Sequence, residues 1–140
     1  MVLAVGLMLL GITFPVLAQQ KFMERVRRHY LLGRETGKCL LCHALKEKEE
    51  ASEENLNAFG KDLRADPNIK PALGKGDKYK FTEAELAAVE KAAVNIEAKD
   101  SDGDGATNKE ELDLGTFPGD AASKPDPKKL EETRKAKLKK

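Results

Sequence analysis

Residues 39–43 read Cys39-Leu40-Leu41-Cys42-His43, which places two thiols and an imidazole within one short segment. The rest of the 140-residue chain is polar, with 35% charged residues, 5% aromatic residues and no tryptophan. A chain of this length forms one domain with tails. Because its core is thin, the fold needs help from a metal, cofactor, disulfide or partner. The net charge of +1 gives no reason to expect nucleic-acid binding.

The pattern Cys-x-x-Cys-His is the attachment sequence of c-type haem. Thiols at this spacing can add to the two vinyl groups of one porphyrin, and the next residue then carries its imidazole beneath the ring. Haem would also contribute a large apolar surface, which offsets the small core. The sequence therefore predicts one covalently attached haem c.

Other chemistries fit parts of this pattern. A thioredoxin-like redox pair would lie near a βαβ pattern, and none is visible in the sequence. Zinc could take Cys39, Cys42, His43 and His29, but ligands at adjacent positions would strain one tetrahedron. An iron–sulfur cluster needs more thiolates than the chain has. A plain disulfide between the two cysteines stays open as an alternative.

On these five residues the chain resembles the small monohaem c-type cytochromes. The resemblance implies that Cys39 and Cys42 form the thioether bonds and that His43 is the proximal ligand of the haem iron. It also implies a mainly α fold, in which a small helical cytochrome c-like domain surrounds one covalent haem. Proteins of this kind transfer single electrons.

The sixth ligand departs from the commonest cytochrome pattern, in which a methionine lies well downstream of the motif. The methionines here are Met1, Met8 and Met23, and none follows the motif. His29 is the only other histidine, and it lies on the apolar face of a predicted helix. His29 is therefore the candidate distal ligand. Alternatively, His29 is hydrogen-bonded elsewhere in the protein. The sixth position at the iron is then taken by Met23, a lysine or Asn57, or it is open.

A second motif, DSDGDGATNKEE, begins at Asp100 and resembles the twelve-residue calcium loop of a single EF-hand, with glycine at position six. Hard oxygen ligands at alternate positions converge only if the loop wraps around a cation. The predicted calcium ligands are Asp100, Asp102, Asp104, the carbonyl of Ala106, Asn108 and Glu111. A plain Asp-Gly turn is the alternative. Because only one such loop is present, we expect a structural clamp rather than a sensor.

Local signals predict the helices around this loop. Residues 82–85 form a capping box, which starts a helix with an apolar stripe that runs from Leu86 to Ile96. Residues 109–114 are predicted to form a short helix after the loop, ended by Gly115.

The segments between the two motifs are expected to build the pocket. Leu56, Phe59 and Leu63 recur at helical spacing. Residues 66–78 contain prolines and glycines and form a loop that can cover a haem edge. Tyr79 and Phe81 are predicted to line the pocket. The acidic residues of segment 46–54 are expected to form a solvated face, with docking to a basic partner as the alternative.

The two ends of the chain differ from the middle. Residues 1–18 are predicted to be a signal peptide or membrane anchor, because an apolar run ends in Val-Leu-Ala. Residues 19–123 are predicted to form the haem- and calcium-binding domain. Residues 124–140, with eight basic and three acidic side chains, form a basic tail that is expected to be disordered. Attraction to anionic lipid or an acidic protein is the alternative for this tail.

These features together predict an electron carrier located in the periplasm or on the extracytoplasmic face of the membrane. Its cofactors are haem c and Ca²⁺, and its partners are redox proteins, with membrane association through residues 1–18. No residue pattern indicates an enzyme, since no Ser–His–Asp set or phosphate-binding loop is present. The alternatives are an anchored haem subunit of a larger respiratory or photosynthetic complex, and a haem-based ligand binder or sensor.

Overall fold

The computed structural model describes residues 17–75 and 79–139 of the chain. These residues are mainly α-helical and contain no strand, which confirms the predicted fold class at that level. The helices are α1 (Leu17–His29), α2 (Ala58–Ala65), α3 (Glu83–Asn95), α4 (Asn108–Leu114) and α5 (Pro127–Lys137). Short 3₁₀ helices lie at Cys39–Leu41, Glu53–Asn55 and Lys70–Ala72.

The predicted signal peptide or anchor, residues 1–18, falls outside the described residues except for its last two, which begin α1. Within residues 17–75 and 79–139, no helix combines the length and the apolar character that crossing a bilayer requires. The last turn of α1 is basic and includes Arg27, Arg28 and His29. Positive charge at that end is favourable because it faces the negative end of the helix dipole.

Helix α3 confirms the prediction made from its capping box. Thr82 Oγ1 accepts a hydrogen bond from Glu85 N at 3.2 Å, and Glu85 Oε2 accepts one from Thr82 N at 2.8 Å. These two bonds satisfy backbone donors that a helix start otherwise leaves free. Val89 and Ala93 are buried on the inner face of α3, which packs against α1. Across that contact Arg25 Nε donates to Glu90 Oε2 at 2.8 Å.

Helix α2 crosses very close to the Cys39–His43 segment. Its N-cap residue, Asn57, accepts a hydrogen bond from Gly60 N at 2.9 Å and donates from Nδ2 to the carbonyl oxygens of Leu40 and Leu41, at 3.0 and 3.2 Å. A Cβ atom at Gly60 would lie 2.1 Å from the carbonyl oxygen of Cys42. Glycine at position 60 therefore permits the two backbones to meet.

Replacing Gly60 by alanine is expected to lower the free energy of unfolding by about 1–3 kcal/mol, because the new methyl group meets backbone atoms that cannot rotate away. The measurement is urea denaturation followed by circular dichroism. Gly33→Ala is the matched control, since a Cβ at Gly33 meets nothing within 4 Å. Equal stability of the two variants would show that the close approach of Gly60 to the Cys42 carbonyl does not affect the free energy of unfolding.

The expectation of a disordered tail is wrong, because residues Pro127–Lys137 form α5. Asp126 Oδ1 caps this helix by accepting hydrogen bonds from Lys128 N and Lys129 N, each at 3.0 Å. Arg134 then pairs with Glu110 of α4 through two bonds of 2.9 Å and also donates to the carbonyl of Gly105 at 2.8 Å. This helix has no apolar stripe, so its docking depends on charge and could not be seen in its hydrophobic pattern.

Replacing Arg134 by alanine is expected to cost about 1–2 kcal/mol of unfolding free energy, because the Glu110 side chain, only 9% exposed, loses a bidentate partner. Arg134 holds the pKa of Glu110 at about 2, below its usual 4.5. The stabilisation is therefore fully present above about pH 4.5 and is lost as the pH falls through 2. Urea denaturation at several pH values measures the difference between the variant and the original chain.

Lys135→Ala is the control for this experiment. Lys135 pairs with Glu131 on the same helix, and both side chains are 65% exposed, so its loss should change stability very little. A loss of stability as large as that of Arg134→Ala would contradict the docking role of Arg134.

Candidate functional site

The Cys39–Leu41 turn brings the three reactive side chains of the motif to one cavity. Cys42 N and His43 N both donate to the carbonyl oxygen of Cys39, at 3.1 and 3.0 Å, so the segment is tightly wound. Both cysteines are free thiols. Cys39, Cys42 and His43 all line a cavity of about 310 Å³. The sequence prediction grouped the same three residues.

The cavity wall is mostly apolar and comes from four parts of the chain besides the motif segment. These parts are α1, residues 51–56, α2 and the segment from Ile69 to Lys75. Its apolar lining residues are Phe22, Met23, Val26, Leu56, Leu63, Ile69, Ala72 and Leu73. A mainly apolar wall with a few polar groups is typical of pockets that bind a small molecule or cofactor.

Two aromatic residues do not line this cavity, contrary to expectation. Phe81 packs edge-on against Phe22, with ring centroids 4.9 Å apart, and so lies one layer behind the wall. Tyr79 is 41% exposed, and its hydroxyl donates to Glu85 Oε1 at 2.8 Å. Both follow the predicted loop directly, but the chain turns towards α3 at that point.

His43 is buried, with 7% of its surface exposed. Its Nδ1 lies 2.9 Å from Asn55 Oδ1. That oxygen also accepts from Ser52 N at 2.8 Å, while Asn55 Nδ2 donates to the carbonyl of Glu50 at 2.8 Å. Because these contacts define Asn55 Oδ1 as an acceptor, Nδ1 of His43 carries the proton. The neutral imidazole then has its free electron pair on Nε2, the form that binds a metal.

The backbone holds the same pair of segments together. His43 and Leu56 form an isolated antiparallel bridge. Ala44 N donates to the carbonyl of Asn55 at 2.8 Å, and Asn57 N donates to the carbonyl of Cys42 at 3.0 Å. The side chain of Asn55 therefore reaches His43 from a segment that is tied to it on both sides. Asn55 was not among the site residues predicted from the sequence, and the haem-attachment motif does not include it.

The surroundings of Cys42 disfavour its thiolate form. Burial, with a smaller contribution from Cys39, raises the pKa of the Cys42 thiol to about 12. A thioredoxin-like pair needs only one activated thiol, so this pKa does not decide against such a pair. Residues 17–75 and 79–139 contain no strand, however, and therefore lack the βαβ pattern near which a thioredoxin-like pair lies.

The structure does not bring His29 to the cavity. Its side chain is 31% exposed, and Nδ1 lies 2.9 Å from Glu90 Oε1 on α3. One face of α1 lines the cavity with Met23 and Val26, while His29 lies on the face that contacts Glu90 of α3. Asn57, another alternative for the sixth ligand, is occupied by the bonds that cap α2. Met23 of α1 does line the cavity.

The acidic loop gathers its carboxylates as predicted. Oxygen atoms of Asp100, Asp102 and Asp104 all lie within 4.8 Å of one another. Three buried oxygens in this region, Asp102 Oδ2, Asp104 Oδ2 and Glu111 Oε2, have no hydrogen-bond partner. Glu111 is fully buried, and burial together with Asp102 and Asp104 raises its pKa to about 8. A bound cation would satisfy these oxygens and remove their mutual repulsion.

The loop backbone has the curvature that such a site requires. Gly103 and Gly105 have φ values of 77° and 97°, which favour glycine. Asp100 accepts hydrogen bonds from both of them, Gly103 N at 2.8 Å and Gly105 N at 2.9 Å. α4 begins at Asn108, within the last third of the twelve-residue motif, is capped by Thr107, and ends before Gly115 in the left-handed conformation. The short helix predicted for residues 109–114 is thus confirmed to within one residue.

Two predicted calcium ligands behave differently from the carboxylates. Asn108 is fully buried, and its side chain donates to Ile96 O at 2.7 Å and Ser101 Oγ at 2.9 Å and accepts from Ser101 N at 3.2 Å. Its amide therefore closes the base of the loop and is not directed at the carboxylate cluster. Ala106 is buried within the loop, and its backbone N–H donates to Asp104 Oδ1 at 2.8 Å.

The acidic loop and the cavity share one helix. Asp62 of α2 accepts hydrogen bonds from Ser101 Oγ and Lys99 Nζ, each at 2.7 Å. Gly60 and Leu63 of the same helix line the cavity. The start of the loop is therefore anchored to the wall of the cavity, a link that neither motif reveals.

Comparisons of the chain with protein-family models, curated proteins and solved structures find no match. The class of each site is therefore argued from the chain's own residues. These residues are a free thiol pair and a buried imidazole on an apolar cavity, and a carboxylate cluster with unpartnered buried oxygens.

Proposed function

We propose that this protein is an extracytoplasmic monohaem c-type cytochrome that transfers single electrons between redox partner proteins. The observation that carries the proposal is that Cys39, Cys42 and His43 line the same apolar cavity. The donor set fits a covalent haem, because two thiols can form thioethers and the neutral imidazole offers Nε2 to iron.

In this proposal the chain supplies attachment, orientation and a dry environment. Haem iron supplies one-electron exchange between its ferric and ferrous states. Cys39 and Cys42 hold the porphyrin edge, and Asn55 holds the imidazole of His43 in one orientation. The leucine, isoleucine, valine and phenylalanine side chains of the wall would limit contact between the haem and water, and solvent exposure is one of the factors that set a haem potential.

The test is expression of the full chain together with a cytochrome maturation system. We expect a haem-stained band that survives denaturing electrophoresis and an intact mass increased by one haem. The visible spectrum should change between oxidised and reduced forms. Bare thiols or a simple cystine in the intact mass would overturn the proposal. Carbon monoxide binding to the ferrous form without displacement of a ligand would favour a ligand binder or sensor over an electron carrier.

Met23 is the proposed sixth ligand in place of His29. It lines the cavity with His43, whereas His29 pairs with Glu90 outside it. A thioether is an established axial ligand of haem iron. The ferric protein should therefore show the near-infrared sulfur-to-iron band, and Met23→Leu should remove that band while covalent haem is retained. His29→Ala is the control and should keep it. A low-spin spectrum of the original chain without this band, lost in His29→Ala, would restore His29 as the ligand.

Calcium is proposed as the second cofactor, held by Asp100, Asp102, Asp104 and Glu111. Support comes from the unpartnered buried oxygens of three of these residues. Carboxylate oxygens of this number suit Ca²⁺, which takes six to eight oxygen ligands. The ion would act as a structural clamp, because the loop lies between α2, which it contacts through Asp62, and the docked helix α5.

A further inference from the structure

We infer that Asn55 is a positioning residue that sets the donor strength of His43 and thereby the potential of the haem. The inference rests on the proposed function, since it concerns the proximal ligand of the same haem. It goes further, however, because it assigns a tuning role to a residue outside the motif. Asn55 reaches His43 with Oδ1, which lies 2.9 Å from Nδ1 of the imidazole.

The orientation of the Asn55 amide is fixed by its other contacts. Oδ1 accepts from Ser52 N at 2.8 Å, and Nδ2 donates to the carbonyl of Glu50 at 2.8 Å. A rotated amide would turn Nδ2 towards the Ser52 N–H and Oδ1 towards the Glu50 carbonyl, so both of these bonds would be lost. The carbonyl oxygen of Asn55 therefore faces Nδ1 of His43 permanently. This contact requires the proton on Nδ1 and leaves Nε2 free for iron.

The hydrogen bond has an electronic consequence besides an orienting one. A ligating histidine that donates its other N–H becomes a more basic ligand, and such outer partners tune the metal. Burial strengthens the effect, since His43 is only 7% exposed and a hydrogen bond is electrostatically stronger in a low-dielectric surrounding. A stronger donor stabilises ferric iron more than ferrous iron. The bond to Asn55 should therefore lower the haem potential.

Asn55 also has a structural role, which the test must separate from the electronic one. It closes a capping box with Ser52 at the start of the Glu53–Asn55 turn. Loss of that role would disturb the turn in Asn55→Leu, which cannot accept from Ser52 N, whereas Asn55→Asp keeps that acceptor. The electronic role instead predicts shifts of opposite sign, depending on whether the new side chain removes the acceptor or strengthens it.

The experiment measures the haem midpoint potential of the purified holoprotein at one pH and ionic strength. Asn55→Leu removes the acceptor and should raise the potential. Asn55→Asp keeps an oxygen facing Nδ1, makes it a charged and stronger acceptor, and should lower the potential. The matched control is Ser52→Asp, which adds the same charge to a residue of the cavity wall and retains an N-cap side chain, without contacting the imidazole.

The inference holds if Asn55→Asp lowers the potential more than Ser52→Asp does, and if Asn55→Leu shifts it upward. Equal shifts for the two aspartate variants, or shifts of the same sign for both Asn55 variants, would overturn it. If Asn55→Leu yields no holoprotein, the comparison of the two aspartate variants decides. Absence of haem from the original chain would be a failure of the proposed function, whereas haem-loaded variants without these shifts would be a failure of this inference alone.

Discussion

Replacing both Cys39 and Cys42 by serine is expected to remove all covalent haem from the protein. Serine hydroxyls do not add to the vinyl groups, so no thioether can form, while serine keeps nearly the shape of each side chain. After expression with the maturation system, the haem stain on a denaturing gel should fall to background. The intact mass should then equal that of the polypeptide alone.

The single variants and a neighbouring control make this result specific. Cys39→Ser or Cys42→Ser should each retain one thioether, with a lower yield of holoprotein. Leu40→Ala alters a variable position of the same turn, where the side chain is 41% exposed, and should keep the full stain. A haem stain that persists in the double serine variant would show that the attachment does not run through these cysteines.

Removal of calcium is the second change with a large expected effect. At a free calcium concentration of 100 times the Kd, the ion contributes about 2.7 kcal/mol to the free energy of unfolding. For a chain of this size such a loss lowers the melting temperature by about 10 °C. A thermal melt in excess chelator, compared with one in calcium, measures this shift. An unchanged melting temperature would exclude the structural clamp.

Glu111→Gln separates the ion from the carboxylate that holds it. The buried amide lacks the charge, so the variant should lose most of the calcium-dependent rise in melting temperature. In chelator above about pH 8 it should be at least as stable as the original chain, because there the substitution removes a buried carboxylate whose Oε2 has no hydrogen-bond partner. Glu131→Gln on α5, where the side chain is 65% exposed, is the control and should leave the calcium response intact.

The pH dependence in chelator follows from the same residue. The pKa of Glu111 is about 8 in the folded chain, against an ordinary value of 4.5. The folded state therefore binds the proton more tightly than the unfolded state does between these two values. Stability of the metal-free protein should fall as the pH rises from about 4.5 to about 8, and calcium should reduce this fall. Denaturation curves across this range, with and without calcium, provide the comparison.

Features that depend on near neighbours in the chain were predictable from the sequence. The capping box at Thr82 and Glu85 positioned the start of α3, and Gly115 marked the end of α4. The spacing of aspartates and glycines predicted a loop whose carboxylates converge. Each of these features involves interactions over about five residues or fewer, so the local order of residue types is enough to define them.

Residues that act across long separations were predicted less well. His29 was expected at the cavity because it lies on an apolar helical face, but Glu90, 61 residues away, binds it elsewhere. Asn108 was placed among the calcium ligands by its position in the loop, yet its amide bonds to Ile96 and Ser101. The basic tail was expected to be disordered, because nothing in its own sequence reveals that Glu110 lies in reach of Arg134.

The order of residues by itself determined the helical class, the pairing of two thiols with one imidazole, and the acidic loop, because these features are encoded over short distances. The tertiary structure alone decided which side chains meet: Asn55 with His43, Arg134 with Glu110, and Asp62 with Ser101. The physical reason is that such contacts depend on how separate segments pack against one another. That packing is determined by the whole core, and no single segment encodes it.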